Sequence, residues 1–342
     1  MRVRSGRVAG VLALVFWVGG CAGSLVHLRP QDGTRVVCPG PSDAPVQVTY
    51  LRTAGVLFRR GTRDVVMTAP FYSNPSLFAV GLGRPIAADD DLIRRHLPWV
   101  GDAKAILVGH AHYDHLMDVP EIAWKHAPAA TVYGNQTAIN LLTPLLPAAR
   151  LRAVEDEKGT PDTPGEWITV PGTRVRFMPL VSEHAPHVAG IKFFTGSVET
   201  PRTARTAGGW KEGQTLAYLI DFLSEDGSRV EYRVYYRDSA GNEPSGAPPP
   251  LPPNDRHAID LAVLCVASFH QVDDYPEWML RILKPKHVLL AHWESFFRSP
   301  DRSLAPIPLL RTRGFVRRLG TDVPWTTLLP GATMRCGSAA RH

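Results

Sequence analysis

The residues best equipped for chemistry sit in one short run, His110-Ala111-His112-Tyr113-Asp114-His115. Four of the six carry groups that bind metals as imidazole or ionised carboxylate. By chance such a pattern should arise in on the order of one such chain in a thousand, so it is a specific signal. Two imidazoles two residues apart at a strand end point the same way, because strand side chains alternate with a period of two. The next turn then swings Asp114 and His115 toward a second position. Without a cation these groups would only crowd one another. The run therefore reads as part of a metal centre, not as a solvated polar loop.

Four residues are too few for two ions, so further ligands are expected just past apolar strands. His184 follows RVRFMPLVSE, with His187 beside it as the competing candidate. Asp238 ends VEYRVYYR, and His292 ends HVLLA. A lone histidine at a strand end is more often structural. What joins these three to the cluster is a shared position, one polar residue at the end of a hydrophobic run. Tyr113, His270 and Trp293 lie near these candidates and are left without a catalytic role.

The elements that must position them alternate in type. VQVTYLRTAGVLF and DVVMTAP, from residue 46, read as a hairpin around Arg60-Gly61. Residues 88–100 have acids in their first turn and helical apolar spacing. Residues 103–109 form an apolar strand that runs into the histidine cluster. A helix over 120–127, a strand over 131–135 and a helix over 136–146 follow. Short strands LRAVE, WITV and 174–181 lead to a second hairpin made of 216–222 and 230–237. A strand (260–268), a helix (276–284), a strand (287–291), a helix (313–320) and a terminal strand close the chain. Segments 196–214 and 240–257 are polar and rich in Gly or Pro. Loops this long either cover a site or are tolerated solvated insertions.

Composition narrows the class. Of 342 residues, 44% are hydrophobic and 20% charged, with mean hydropathy −0.10. That excludes a disordered chain and a polytopic membrane protein. The net charge of +6 overstates basicity. Arg2, Arg4 and Arg7 lie in the first ten residues, and no acid lies in the first twenty. No basic stripe with interleaved aromatics follows, so nucleic acid is not an expected partner.

Residues 1–7 are cationic and residues 8–20 apolar, a stretch too short to cross ~30 Å of hydrocarbon but suited to a signal peptide. Cys21 follows in Val18-Gly19-Gly20-Cys21, which resembles a bacterial lipobox. The resemblance implies a signal peptide over 1–20 and a lipidated Cys21, followed by a tether over 21–45 and a single domain over 46–342. Lipidation would attach the protein to a membrane without spanning it. Ala22 after the cysteine leans toward the outer membrane. The expected location is the bacterial cell envelope, lipid-anchored, on the periplasmic or outer-membrane side. Cys265 lies in the apolar run LAVLCVAS and reads as a buried small hydrophobe. Pairing of Cys38 with Cys336 is open, since geometry decides it.

The opening hairpin, HxHxDH and the later strand-end His, Asp and His occur in an order that resembles the metallo-β-lactamase-fold hydrolases over roughly 46–332. HAHYDHL and the closing AHWESFF look most like the branch of N-acyl-phosphatidylethanolamine phospholipase D and ascorbate-6-phosphate lactonase. That resemblance implies an α/β protein, a four-layer αββα sandwich, and two divalent metal ions, usually Zn2+. Carried over by position, His110, His112 and His184 would hold one ion, and Asp114, His115 and His292 the other. Asp238 would bridge them, with Asp114 and Asp238 as the catalytic carboxylates. Where this branch has Asp-Pro after the second strand, the chain has Ala69-Pro70, which puts the support behind the ligands in doubt.

The activity implied is hydrolysis by a hydroxide held between two ions, with a phospholipid-like or other phosphodiester substrate in the envelope preferred. A lactonase or other ester hydrolase is the alternative enzyme. A non-catalytic envelope lipoprotein that keeps the fold is the alternative class, disfavoured because all seven ligand positions are filled. A flavin-dependent oxidoreductase is disfavoured, since no flavodoxin-like segment follows, and a single-iron oxygenase site stays open.

Overall fold

The computed structural model describes residues 25–40 and 45–337. The signal-peptide and lipobox expectations, Cys21 included, lie outside these residues. Two seven-stranded mixed sheets dominate the described chain. The first half supplies β1 (Val46–Arg52), β2 (Gly55–Arg60), β3 (Asp64–Thr68), β4 (Ala105–Leu107), β5 (Thr131–Gly134) and β6 (Leu151–Ala153). The second supplies β7 (Ile168–Thr169), β8 (Val175–Val181), β9 (Leu216–Leu223), β10 (Val230–Tyr236), β11 (Leu261–Cys265), β12 (His287–Ala291) and β13 (Trp325–Thr327). The last strand, β14 (Thr333–Cys336), returns to the first sheet. The sheet orders are β14-β1-β2-β3-β4-β5-β6 and β13-β12-β11-β10-β9-β8-β7. Each sheet is antiparallel in its hairpin portion and parallel beyond it, from β3 to β6 and from β10 to β13. The two halves are thus alike in topology.

The helices are short: α1 (Leu77–Gly81), α2 (Asp90–His96), α3 (Tyr113–Leu116), α4 (Val119–Glu121), α5 (Gln136–Leu142), α6 (Glu277–Leu283) and α7 (Thr312–Leu319). Helix α1 was not expected from the sequence, where its five residues are too few to show a period. The helix expected over 88–100 shrinks to α2, because Pro98 disfavours helical backbone at Leu97. The helix expected over 120–127 is α4 followed by a π-helical turn, Ile122–His126.

Alternation along the strands explains the layers. Val46, Val48, Tyr50, Val56, Phe58, Val66, Ala105 and Leu107 belong to a core shared with Phe177, Leu219 and Val234 of the second sheet. Their neighbours Leu57, Val65, Met67, Ile106 and Val108 face the other way and pack with Leu116, Ile122 and Leu141. The outer side of the second sheet is covered by Trp278, Met279 and Leu283 of α6 and by Phe315 and Leu319 of α7. Strands buried on both faces carry apolar residues at successive positions, as LAVLC does. The order helix, sheet, sheet, helix is the four-layer αββα sandwich expected.

The two long insertions are packed, not loose. In 196–214, Val198 and Trp210 are buried and Asn140 Nδ2 donates to Val198 O at 2.6 Å. In 240–257, Tyr235 Oη donates to Gly246 O and Arg233 pairs with Asp255.

Cys38 and Cys336 form a disulfide that ties the segment before β1 to the last strand across 298 residues. Both are buried, and Cys265 is free and buried. In the chain-entropy model a loop of this length adds about 6 kcal/mol, and real bridges give ~2–5. Replacing both cysteines by serine should therefore lower the unfolding free energy by ~2–5 kcal/mol in urea titrations. Equal stability of the variant and the wild type would refute a structural role for the bridge.

Candidate metal centre

All seven candidate ligands lie just past strand ends or on the turn that follows one. Past β4, Val108 and Gly109 lead to His110. Val108 N–H donates to Tyr133 O, and Gly109 O accepts from Leu216 N–H of the opposite sheet at 2.8 Å. His112 precedes α3, whose first turn carries Asp114 and His115. His184 stands three residues beyond β8, Asp238 two beyond β10, and His292 directly after β12. The first sheet thus gives four ligand-type side chains and the second gives three.

The structure brings them together as three overlapping triads: His110, His112 and His184; Asp114, His115 and His292; His110, His115 and Asp238. Within each, the ligand atoms lie within 4.8 Å of one another. Asp238 draws on both other groups. Its Oδ1 is 3.0 Å from His110 Nδ1 and its Oδ2 is 3.4 Å from His115 Nδ1. Asp114 Oδ2 is 3.4 Å from the Nε2 atoms of both His115 and His292, which face each other at 3.1 Å.

The choice between His184 and His187 is made by hydrogen bonds. His184 Nδ1 donates to Ala185 O at 2.6 Å, which leaves Nε2 as a lone-pair donor. His187 uses Nδ1 to accept from Phe193 N–H at 3.1 Å and stacks on His184, ring centroids 4.6 Å apart. Only His184 joins a triad.

Electrostatics prepares these groups to bind a cation. Burial, then the neighbouring histidines, pushes His112 and His184 well below the usual imidazole range. Burial pushes His115 down to about 3, and His187 down to about 4. His110 is the exception: burial alone would lower it, but the Asp238 carboxylate raises it. Burial works against ionising Asp114 and Asp238, yet the surrounding imidazoles hold both below the usual carboxylate range. At neutral pH the site offers mostly neutral imidazoles and ionised carboxylates, the protonation states of ligands.

Whether a metal fits can be judged from atoms without partners. His110 Nε2, His112 Nε2, His115 Nδ1, His292 Nδ1 and Asp238 Oδ2 are buried and make no hydrogen bond. Buried polar atoms normally have partners, and five exceptions in one cluster call for an explanation. Imidazole with carboxylate suits divalent ions of the zinc type. The donor set fits divalent metal.

Three features that sequence reasoning missed support the cluster. A Cβ at residue 109 would collide with both carboxylate oxygens of Asp238, so glycine is required there. His292 has φ 55°, a left-handed conformation that histidine adopts at a cost. It is held by its own N–H donating to Thr53 O at 2.5 Å and by buried Glu294, which accepts from Thr53 N–H at 2.6 Å and from Tyr50 Oη. Behind Ala69, buried Asp118 accepts from the backbone N–H groups of Tyr72 and Ser73. Asn74 in turn reaches from that loop to Arg298 O, beyond His292. Glu294 was visible in AHWESFF, but its role needed the fold.

The cluster opens into a cavity of about 500 Å³ whose walls are largely apolar, among them Leu77, Phe193, Phe194, Phe296 and Leu309. Tyr113 and His270 line it, whereas Trp293 is fully buried and stacks on Tyr50 at 6.0 Å. Neither long insertion contributes a residue to the wall. The covering segment is 187–194 instead.

No family model matches the chain. No curated protein matches either. Many solved structures do. Igni18, a novel metallo hydrolase from Ignicoccus hospitalis, is 12% identical with TM-score 0.48, over 86% of this chain and 100% of that one. The metallo-beta-lactamase fold protein YhfI from Bacillus subtilis is 13% identical with TM-score 0.45, over 84% and 99%. An isothiocyanate hydrolase from Delia radicum gut bacteria is 15% identical with TM-score 0.47, over 85% and 100%. Likenesses at this level concern the path of the chain, not its chemistry.

Gly109→Ala tests the cluster with one methyl group. It should leave the circular dichroism spectrum unchanged while displacing Asp238, and metal content after dialysis should fall at least about tenfold. Wild-type metal content in this variant would show that Asp238 does not hold the ions.

Proposed function

We propose that the chain is a divalent-metal-dependent hydrolase, with zinc the preferred ion and a phosphodiester, phospholipid-like for preference, as substrate. The observation that carries this reading is the convergence of seven ligand-type side chains, several with unpartnered lone pairs, of which His112, Asp114, His184, Asp238 and His292 line one largely apolar cavity. His110, His112 and His184 would hold one ion, and Asp114, His115 and His292 a second. Asp238, which faces both groups, would set their spacing. Bound ions would supply Lewis-acid stabilisation of developing charge and a water acidic enough to attack near neutral pH.

The chain's own residues do the rest. With Nδ1 accepting from Phe193 N–H, neutral His187 keeps its proton on Nε2 and is a hydrogen-bond donor on the cavity wall. Phe194, Tyr113 and Phe296 form an aromatic wall, with ring centroids 6.3 Å apart at both contacts, that keeps bulk water from the cluster. An apolar wall beside a charged centre favours a substrate with a polar scissile group and a hydrocarbon body. Purified protein should contain about two equivalents of divalent metal. It should hydrolyse bis-p-nitrophenyl phosphate, and His112→Ala or Asp238→Ala should lower the rate at least ~100-fold. Full activity in both variants would defeat the proposal. A parallel lactone assay separates the lactonase reading.

The envelope location and the lipid on Cys21 belong to the same proposal. A buried disulfide suits an oxidising compartment. Among the described residues no helix is long and apolar enough to cross a membrane. Cys21→Ser should abolish incorporation of labelled palmitate, and label retained by the variant would sink the anchor.

A further inference from the structure

The cavity has a second polar end. Besides the metal-cluster residues, its wall includes Ser268, His270, Gln271 and Arg311. These come from a 3-10 turn, Phe269–Gln271, and from the residue that opens α7. The two elements are packed directly. Phe269 meets Phe315 edge-on at 5.0 Å, and a Cβ added at Gly314 would stand 3.4 Å from Phe269. Ser268 enters the turn at φ 54°, a left-handed conformation that serine adopts at a cost and that reverses the chain at the cavity wall.

The hydrogen-bonding capacity here is only partly used. Gln271 Oε1 accepts from Gly190 N–H. His270 Nδ1 is buried and has no hydrogen-bond partner. Arg311 lies on the wall and, among the described residues, forms no ion pair. Arg311 is close enough to His270 to disfavour its protonated form, after burial. The start of α7 adds the positive end of an eight-residue helix. The rest of the wall is largely hydrocarbon and includes Val188, Phe194, Ile307, Leu309 and Leu310. One largely apolar cavity that holds both a cationic group and a metal-ligand cluster suits a molecule with two polar ends.

We propose that Arg311, His270 and Ser268 form an anion subsite that binds a second, non-scissile carboxylate or phosphate of the substrate, with the hydrocarbon body lying between it and the metal cluster. This rests on the hydrolase reading of that cluster. The recognition chemistry is a charge-assisted hydrogen bond from the guanidinium, joined by a neutral imidazole and a hydroxyl. Neither carboxylate nor phosphate is specified by these donors, so both are tested.

Calorimetry on the metal-loaded mature protein should compare straight-chain monocarboxylates with α,ω-dicarboxylates from six to fourteen carbons, and alkyl phosphates with α,ω-diphosphates. At the best chain length the two-ended probe should bind at least ~10-fold more tightly than the one-ended probe. Arg311→Gln, alone or with His270→Gln, should erase that gain and leave one-ended binding within about twofold. The sign of the gain for each series says which anion is preferred. No gain at any length, or a gain that survives Arg311→Gln, would overturn the subsite. Metal content and bis-p-nitrophenyl phosphate turnover on the same preparations keep the two readings apart. If the cluster held no metal, one-ended probes would themselves bind at Arg311 and weaken in the variant. The subsite would then stand while the hydrolase reading fell.

Discussion

The constraint on which the structure turns is the burial of ionisable groups beside one another. Five imidazoles and two carboxylates are packed where strand ends from two sheets meet. Each costs several kcal/mol to bury unless a partner answers it. Asp238 and His110 answer each other, and Asp114 lies against His115 and His292, but five donor atoms remain. A divalent cation satisfies several such lone pairs at one point. The fold must therefore hold two sheets in one register closely enough for triads to form across their seam.

The contacts that do this encircle the cluster. Leu216 N–H bonds Gly109 O at 2.8 Å, and Tyr218 Oη bonds Val108 O at 2.7 Å, both pinning the exit of β4 to the second sheet. Tyr236 Oη reaches Ala54 O at 3.0 Å from the strand that delivers Asp238. Glu294 and His292 N–H grip Thr53 from the strand that delivers His292. Each bond is buried, where a lost partner costs more than a surface bond yields. Glu294 braces Thr53 and Tyr50 from the loop after β12, whereas Ala69 at the end of β3 offers no carboxylate. The left-handed backbone at His292 is tolerable only because those bonds over-determine it.

Much of this was legible in residue types. HxHxDH announced itself, since four ligand-type groups in six positions have few other uses. The strand-end placement of His184, Asp238 and His292 followed from the period-two runs before them, and the alternation in β1 to β4 carried the layer order. Legibility failed where function resides in shape. Nothing local distinguishes His184 from His187; a hydrogen bond to a phenylalanine four residues after a reversal decides it. Gly109 looks like any loop glycine until Asp238 arrives from 129 positions away. The insertions drew attention by composition, yet the wall is built by Phe193, Phe194, Phe296 and Phe297, whose sequence context is unremarkable. Arg311 was one arginine among many.

The apolar wall sets the electrostatic surroundings of the cluster. Water at the cluster would screen the carboxylates and compete for every lone pair. Phe194 and Phe296 meet Tyr113 from two sides, and Tyr113 lies between two ligand-type residues in sequence. The residues that exclude water are therefore coupled to those that face it. Charge developing at the cavity floor is felt more strongly against hydrocarbon than against solvent, which is the condition for electrostatic catalysis. The same hydrocarbon makes entry selective. A small hydrated anion gains nothing from the walls, while an amphiphile recovers free energy from each methylene that leaves water, ~0.8 kcal/mol. A low-polarity surround for the cluster and an apolar lining for whatever enters are thus one property of the cavity.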